Sequence, residues 1–459
     1  MYFKQIFDKK LAQYAYLIGC QATGEAIVID PLRDVDLYHE LAAEEGLRIT
    51  AAADTHIHAD YVSGLRELAE EGVKVYGSDE GGADWKYEWL MGSEYNYELV
   101  TDGDSFTLGN LRLDVVHTPG HTPESVSFLL TDGAAADEPM GILTGDFVFV
   151  GDVGRPDLLE TAAGQEGAMQ PAARELYRSV LAFRDLPEYL QVWPAHGAGS
   201  ACGKALGAVP ESTVGYELRY SPAFQAAGSE QEFVDFILDG QPEPPLYFGR
   251  MKKVNREGPP VLGSLPRPVP MGAGEIASAD GTVIDTRKAE AFMDGHLPGS
   301  LLAPLNINFN TVAGSYADAE KELYLVIGEE DLEEAVRDLV RVGLDRIAGY
   351  VTPQELEAWE GGKSRITTGD FTEVTCRADD PKVQVLDVRK ATEYAEGHVP
   401  GALNIAYTRL ADHLDELPRD RELLVHCRSG IRASYAVGLL AREGFRVRWI
   451  DDNIENLKP

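Results

Sequence analysis

At 459 residues, with 44% apolar and 25% charged side chains, the chain has room for about three domains, each able to bury its own core. Its 41 basic and 76 acidic residues leave a formal charge of −35, which disfavours nucleic-acid phosphates and anionic membranes as partners. No run approaches the ~18 apolar residues of a membrane span, and Met1-Tyr2-Phe3-Lys4-Gln5 lacks a signal-peptide pattern, so a cytoplasmic protein is expected.

Tyr14 to Ile18 and Glu25 to Ile29 read as paired strands around the Gly24 turn, with Asp30-Pro31 as a breaker. A helix through Leu37, Leu41 and Ala42 ends before Gly46. The apolar run Ile49 to Ala53 then predicts a buried strand that feeds Thr55-His56-Ile57-His58-Ala59-Asp60-Tyr61. Two imidazoles and a carboxylate on a loop rooted in a sheet suit a metal. Alone, that loop would equally suit an exposed polar turn. A helix through Leu65, Leu68 and Ala69 stops at Gly72, and short strands follow at Val73 to Tyr76, Leu111 to Val116, Val126 to Leu130 and Gly141 to Leu143. Three further strand ends carry His117-Thr118-Pro119-Gly120-His121, Thr144-Gly145-Asp146 and Trp193-Pro194-Ala195-His196. Four such ends in one order predict a metal site. Their order and identity resemble the metallo-β-lactamase superfamily. That resemblance implies an αββα sandwich over residues 1–240 with its metals at one edge.

Residues 241–272 read as a linker, because Gln241-Pro242-Glu243-Pro244-Pro245 and Gly258-Pro259-Pro260 to Pro270 are too rich in proline for helix or central strand. Beyond it the sequence repeats. Val283-Ile284-Asp285-Thr286-Arg287-Lys288-Ala289 recurs as Val385-Leu386-Asp387-Val388-Arg389-Lys390-Ala391. Gly295-His296-Leu297-Pro298-Gly299 recurs as Gly397-His398-Val399-Pro400-Gly401 at the same offset, which marks a duplicated domain. Residues 273–363 and 364–459 are therefore expected to form two small α/β domains with mostly parallel sheets. Their Asp-x-Arg and Gly-His-x-Pro-Gly elements are expected to be structural.

The copies differ where chemistry would occur. In the second, the strand Glu422 to His426 runs into Cys427-Arg428-Ser429-Gly430-Ile431-Arg432-Ala433 and then a helix. A cysteine at such a turn faces backbone N–H groups and a positive helix end, with Arg428 and Arg432 nearby, all of which favour the nucleophilic thiolate. The other cysteines, Cys20, Cys202 and Cys376, are far apart and show no CxxC spacing, which excludes a disulfide scaffold or zinc finger as the expectation. This repeat resembles the rhodanese family, whose cysteine carries a persulfide. Cysteine phosphatases have Cys-x5-Arg, one residue longer than the spacing to Arg432. The first repeat has Leu325-Val326-Ile327-Gly328-Glu329-Glu330 in the equivalent place and reads as a pseudo-rhodanese domain lacking the active cysteine.

Tyr61 stands where two-metal hydrolases carry a histidine for the second ion, so one ion is expected. The pieces matched to it are His56, His117 and Asp146. Two histidines and a carboxylate with open positions suggest non-haem Fe(II) more than structural zinc. His58, Asp60, His121 and His196 would then surround the ligands or orient substrate. Arg155 is a candidate for an anionic thiol substrate, with Asp157 or Asp152 as rival partners. Cys202 is a candidate sulfur acceptor or a structural thiol. Together with Gly154-Arg155-Pro156-Asp157, these pieces resemble the persulfide dioxygenase–rhodanese fusions. The resemblance implies one Fe(II) at His56, His117 and Asp146, and oxidation by O2 of a low-molecular-weight thiol persulfide to sulfite and thiol. It also implies sulfur transfer among persulfide, sulfite and thiosulfate at Cys427, and it leaves a homo-oligomer open. The alternatives are a dinuclear zinc thioester hydrolase fused to a sulfurtransferase, and a non-enzymatic sulfane-sulfur carrier or sensor.

Overall fold

The computed structural model describes residues 1–162 and 164–457. The chain divides into two compact units: residues 1–241 with 248–263, and residues 242–247 with 264 onward. In the first unit, one sheet has six strands in sequence order: β1 (Tyr2–Asp8), β2 (Gln13–Cys20), β3 (Glu25–Ile29), β4 (Arg48–Ala53), β5 (Lys74–Ser78) and β6 (Tyr97–Val100). It is antiparallel through β3 and parallel from there on. A second six-stranded sheet holds β7 (Ser105–Leu108), β8 (Leu111–His117), β9 (Val126–Asp132), β10 (Gly141–Gly145), β11 (Gln191–Pro194) and β12 (Ser212–Thr213).

Period-two alternation explains why these sheets stack. Tyr14, Tyr16, Ile18 and Cys20 of β2 join Phe106, Phe128, Leu130, Leu143 and Trp193 of the other sheet in one core. Their immediate neighbours Ile142 and Val192 face the other way, where they pack with Leu176, Val180 and Phe183 of the helix Met169–Phe183 and with Phe233 and Val234. Two sheets face to face with helices outside make the αββα sandwich that the sequence predicts. The edge strands β1 and β6 escape that reading because their burial is weak, and β7 because its alternation runs for only four residues.

The expected linker is not one piece. Its centre folds as a helix, Phe248–Glu257, that belongs to the first unit. Asn255 fixes it there: Nδ2 donates to the carbonyls of His58 (2.8 Å) and Tyr61 (2.7 Å), and Oδ1 accepts from Ser63 N–H (2.9 Å). The proline-rich stretch that follows has carbonyls to offer and few N–H groups. Arg33 donates to Pro260 O and Arg66 to Pro259 O, while Glu67 accepts from Leu262 N–H.

The second unit carries the duplication as two five-stranded sheets. The first has the order β13-β17-β16-β14-β15, with β13 (Val269–Pro270), β14 (Gly281–Asp285), β15 (Leu301–Leu302), β16 (Glu322–Val326) and β17 (Ile347–Val351). The second repeats it as β18-β22-β21-β19-β20, with β18 (Thr367–Gly369), β19 (Val383–Asp387), β20 (Leu403–Asn404), β21 (Glu422–His426) and β22 (Arg446–Ile450). All pairings in both are parallel. The duplicated motifs do the same structural work twice. Arg287 pairs with Asp285 and donates to Gly295 O, and Arg389 pairs with Asp387 and donates to Gly397 O, each carbonyl at 2.8 Å. His296 stacks on Phe292 and His398 on Tyr394, both at 3.8 Å between ring centres.

Candidate metal centre and thiol loop

The loops that follow β4, β8, β10 and β11 converge at the strand ends. Asp30, at the end of β3, organises the first of them. Its Oδ1 accepts from Thr55 N–H (2.7 Å) and its Oδ2 from the Thr55 hydroxyl (3.0 Å). That hydroxyl in turn accepts from His56 Nδ1–H (3.0 Å), which leaves His56 Nε2 as the available nitrogen. The same device recurs twice. His121 Nδ1–H donates to Arg155 O (3.1 Å) and His196 Nδ1–H to Ala12 O (3.2 Å). Three imidazoles thus have their tautomers set from behind, as metal-binding histidines do. Close approach is needed under this cluster. Gly145 has φ +53°, and a Cβ there would come within 2.4 Å of Thr55 Oγ1.

His56, His121 and Asp146 bring one donor atom each within 4.8 Å of one another, all three buried. Asp146 Oδ2 lies 3.9 Å from His56 Nε2 and 3.4 Å from His121 Nε2, and Oδ1 lies 3.4 Å from His196 Nε2. Both Asp146 oxygens are buried without a hydrogen-bond partner. Donors about 2.1 Å from one shared ion and roughly 90–110° apart stand about 3.0–3.4 Å from each other. The two 3.4 Å separations match that range, the 3.9 Å one to His56 exceeds it by about half an ångström, and all are too long for good hydrogen bonds. The charge states agree. Burial, reinforced by the neighbouring imidazoles, holds His56 well below the usual histidine range, and burial takes His121 down to about 4. Both are therefore neutral and able to donate electron pairs. Burial raises Asp146 to about 6, against the lowering pull of His196. The residues present fit a metal ion.

His117 is not in this group, contrary to the sequence expectation. It is the last residue of β8 and still pairs with Val126, so its ring stays on the sheet surface. There Nε2–H donates to Pro123 O (2.8 Å), and Nδ1 stands 3.8 Å from Glu80. His121, four residues on and past the Pro119-Gly120 turn, reaches the strand ends instead. His58 also turns away. Its Nε2 lies 3.1 Å from Asp30 and 2.9 Å from the Tyr61 hydroxyl, with the tyrosine ring stacked on it. Burial alone would lower its pKa. The charge of Asp30 and its hydrogen bond, with Asp54 and Asp60, overcome that and raise it to about 9.

Asp60, His196 and Cys202 form a second buried donor group beside the first. Asp60 Oδ2 is 3.3 Å from His196 Nε2, and neither atom has a hydrogen-bond partner. Burial, then the charges of Asp146 and Asp60, push the Cys202 thiol well above its usual range. Arg155 is already engaged: it grips Asp157 with two hydrogen bonds (2.8 and 2.5 Å) and donates to Ala201 O (3.1 Å). It positions the loop carrying Cys202 and, through its own carbonyl, His121.

In the other unit, Cys427 is buried at the end of β21, ahead of the helix Ile431–Arg442. Gly430 makes the turn at φ +86°, where a Cβ would strike Asp451. Arg432 is held by both oxygens of Glu393 (2.5 and 2.8 Å). That pairing lowers the Glu393 carboxyl. Arg428 points outward, 67% exposed and 3.8 Å from Glu455. Of the two predicted loop arginines, Arg432 is the half-buried one. Tyr407 is pushed up to about 12 by burial, then by Tyr435, with Cys427 adding to the rise.

Residues 9–196 match the metallo-β-lactamase superfamily and residues 370–458 the rhodanese-like domain. The mitochondrial persulfide dioxygenases ETHE1 of Bos taurus and Homo sapiens are each 32% identical over 202 residues, 42% of this chain and 67% of theirs. A crystal structure of a metallo-β-lactamase from Staphylococcus aureus subsp. aureus COL superposes with a TM-score of 0.70 at 42% identity, over 77% of this chain and 99% of that one. The chain belongs to the metallo-β-lactamase superfamily, as a homologue of the ETHE1 persulfide dioxygenases with a rhodanese-like domain at its C-terminal end.

Several functional residues carried little sequence signal. Asp30 and Asp54 enclose His58, yet Asp30-Pro31 reads only as a breaker. Glu124 accepts from Ile57 N–H (2.8 Å) across two loops. Asn255 comes from a stretch that reads as linker, and Glu393 from a helix with no motif. The spacing of His117 and His121 could not by itself separate the strand residue from the loop residue.

Proposed function

We propose that this protein oxidises the outer sulfur of a low-molecular-weight thiol persulfide with O2 to give sulfite and free thiol. The balanced change is RSSH + O2 + H2O → RSH + SO3²⁻ + 2 H⁺. The observation that carries this reading is the donor group of His56, His121 and Asp146, whose carboxylate oxygens have no partner in the protein. Fe(II) held by two imidazoles and one carboxylate supplies redox chemistry with coordination positions to spare. The protein's part is preorganisation: Thr55 and the Arg155 carbonyl fix the two imidazoles, and the buried loops keep bulk water from the centre. Cys427 is the sulfur carrier. Sulfite attacking its outer persulfide sulfur gives thiosulfate and returns the thiolate, with Arg432 beside the anion. Together the two steps would serve sulfide detoxification.

Oxygen uptake and sulfite release by Fe(II)-loaded protein on a panel of persulfides test this. One O2 consumed per sulfite formed is expected. An active preparation that needs two zinc ions and leaves O2 untouched overturns it. That second reading, a dinuclear zinc thioester hydrolase, is favoured by one observation: Asp60, His196 and Cys202 offer donors for a further ion.

A further inference from the structure

The dioxygenase reading needs a place for the non-reacting end of the thiol carrier, and Arg155, the cation the sequence offers for it, is buried and already paired with Asp157 and Ala201. A different cation is available. A narrow cavity of about 20 Å³ reaches His121 and Ile57 and is walled by Trp85, Leu159, Phe248 and Lys252. It is large enough for an atom or two, such as a terminal sulfur. A roomier cavity of about 370 Å³ has His117 and Gln165 in its wall. Leu159 lines both.

Lys252 comes from the helix Phe248–Glu257, outside the segment that matches the superfamily. Its ammonium sits 3.5 Å from the centre of the Trp85 ring. Among the described residues it makes no hydrogen bond and no ion pair; burial, with Arg256, lowers its pKa against the raising pull of the nearby acids Glu124 and Asp84. A half-buried ammonium with an aromatic ring as its sole close partner has donors to spare. In a chain of net charge −35, an anionic substrate is repelled by most of the surface, so one local cation at the cavity carries unusual weight.

We propose that Lys252 is a specificity-determining residue that binds an anionic group, carboxylate or phosphate, of the thiol carrier, with Trp85 setting the position of its ammonium. This rests on the dioxygenase reading for the identity of the reacting end, but binding of the carrier does not require turnover. The test is calorimetric binding of glutathione and of coenzyme A to the Fe(II)-loaded full chain, beside persulfide kinetics. Lys252→Met keeps the aliphatic stem against Trp85 and removes the charge, and Lys252→Arg restores it.

The Met variant is expected to bind the recognised thiol roughly ten- to a hundredfold more weakly, through KM with kcat little changed. The Arg variant should recover most of the loss, and the persulfide of 2-mercaptoethanol, which has no carboxylate or phosphate, should be turned over as by the wild type. Loss confined to glutathione identifies a carboxylate, and loss confined to coenzyme A a phosphate. Unchanged binding of both thiols, or an equal loss for the 2-mercaptoethanol persulfide, overturns the proposal. Charge-dependent thiol binding in a protein that consumes no O2 would instead sink the dioxygenase reading and leave the anion site standing.

Discussion

The metal centre and the thiol loop solve opposite problems. At the first, Asp146 has two buried oxygens with nothing to bind, and Asp60 and His196 each leave an atom unpartnered. That region is costly to fold until a cation arrives. At the second, the half-buried Arg432 is already clasped by Glu393, and the proposed reacting atom, the Cys427 sulfur, is part of the chain itself. One site is completed by something outside the protein; the other is complete on folding. The difference predicts that the first is controlled by metal supply and pH, and the second by its internal pairings.

The sharpest way to break this contrast is to remove the reacting atom. Cys427→Ser is expected to reduce sulfur transfer to background while O2 uptake stays within about twofold, because a hydroxyl cannot carry sulfane sulfur. Equal loss of both activities would show that the sites are not separable. Asp146→Asn should lower metal affinity by more than roughly a hundredfold, beyond what loss of a supporting partner costs, with sulfur transfer at Cys427 retained. Metal content after dialysis reads this directly.

Acid should act on the first site in the same direction. Asp146 is raised to about 6 in the metal-free protein. Above that pH the carboxylate is already bare. Below it each bound ion must displace a proton, so apparent affinity should fall about tenfold per pH unit. Titration with metal from pH 5 to 7.5 would show the break, and a flat profile would exclude Asp146 as a ligand. Glu393→Gln removes the charge that holds Arg432 and should reduce kcat/KM for sulfur transfer about tenfold, with metal content untouched. The smallest effect is expected for His117→Ala, whose ring is bonded to Pro123 O instead of the cluster. Bound metal should stay within about twofold, and a large loss would restore the ligand assignment that the sequence suggested.

Much of the architecture was legible because it rests on periodicity. The apolar runs of β2, β4, β9 and β10 announce strands whichever sheet they join, and the 102-residue repeat announces two like domains. The four ligand-bearing strand ends were also legible, since chain order fixes which elements carry them. What sequence could not resolve is direction. His117 and His121 share a motif, and only the pairing of His117 with Val126 shows which one remains on the sheet. His58 was expected beside the ligands, but nothing in its loop announces Asp30 and Asp54, 28 and 4 residues away, as its partners. Partners brought in from a distance leave no local pattern. The proline runs misled in a similar way: they rightly argued against a central strand, but said nothing of where the helix between them would dock.

That helix has a practical corollary. A protein trimmed to the first 241 residues would keep every donor around Asp146 and still lose the amide of Asn255, which ties down the carbonyls of His58 and Tyr61. The edge of the first unit along the chain is therefore not its edge in space, and a cut placed by eye at the first proline cluster would leave the histidine loop without its clasp.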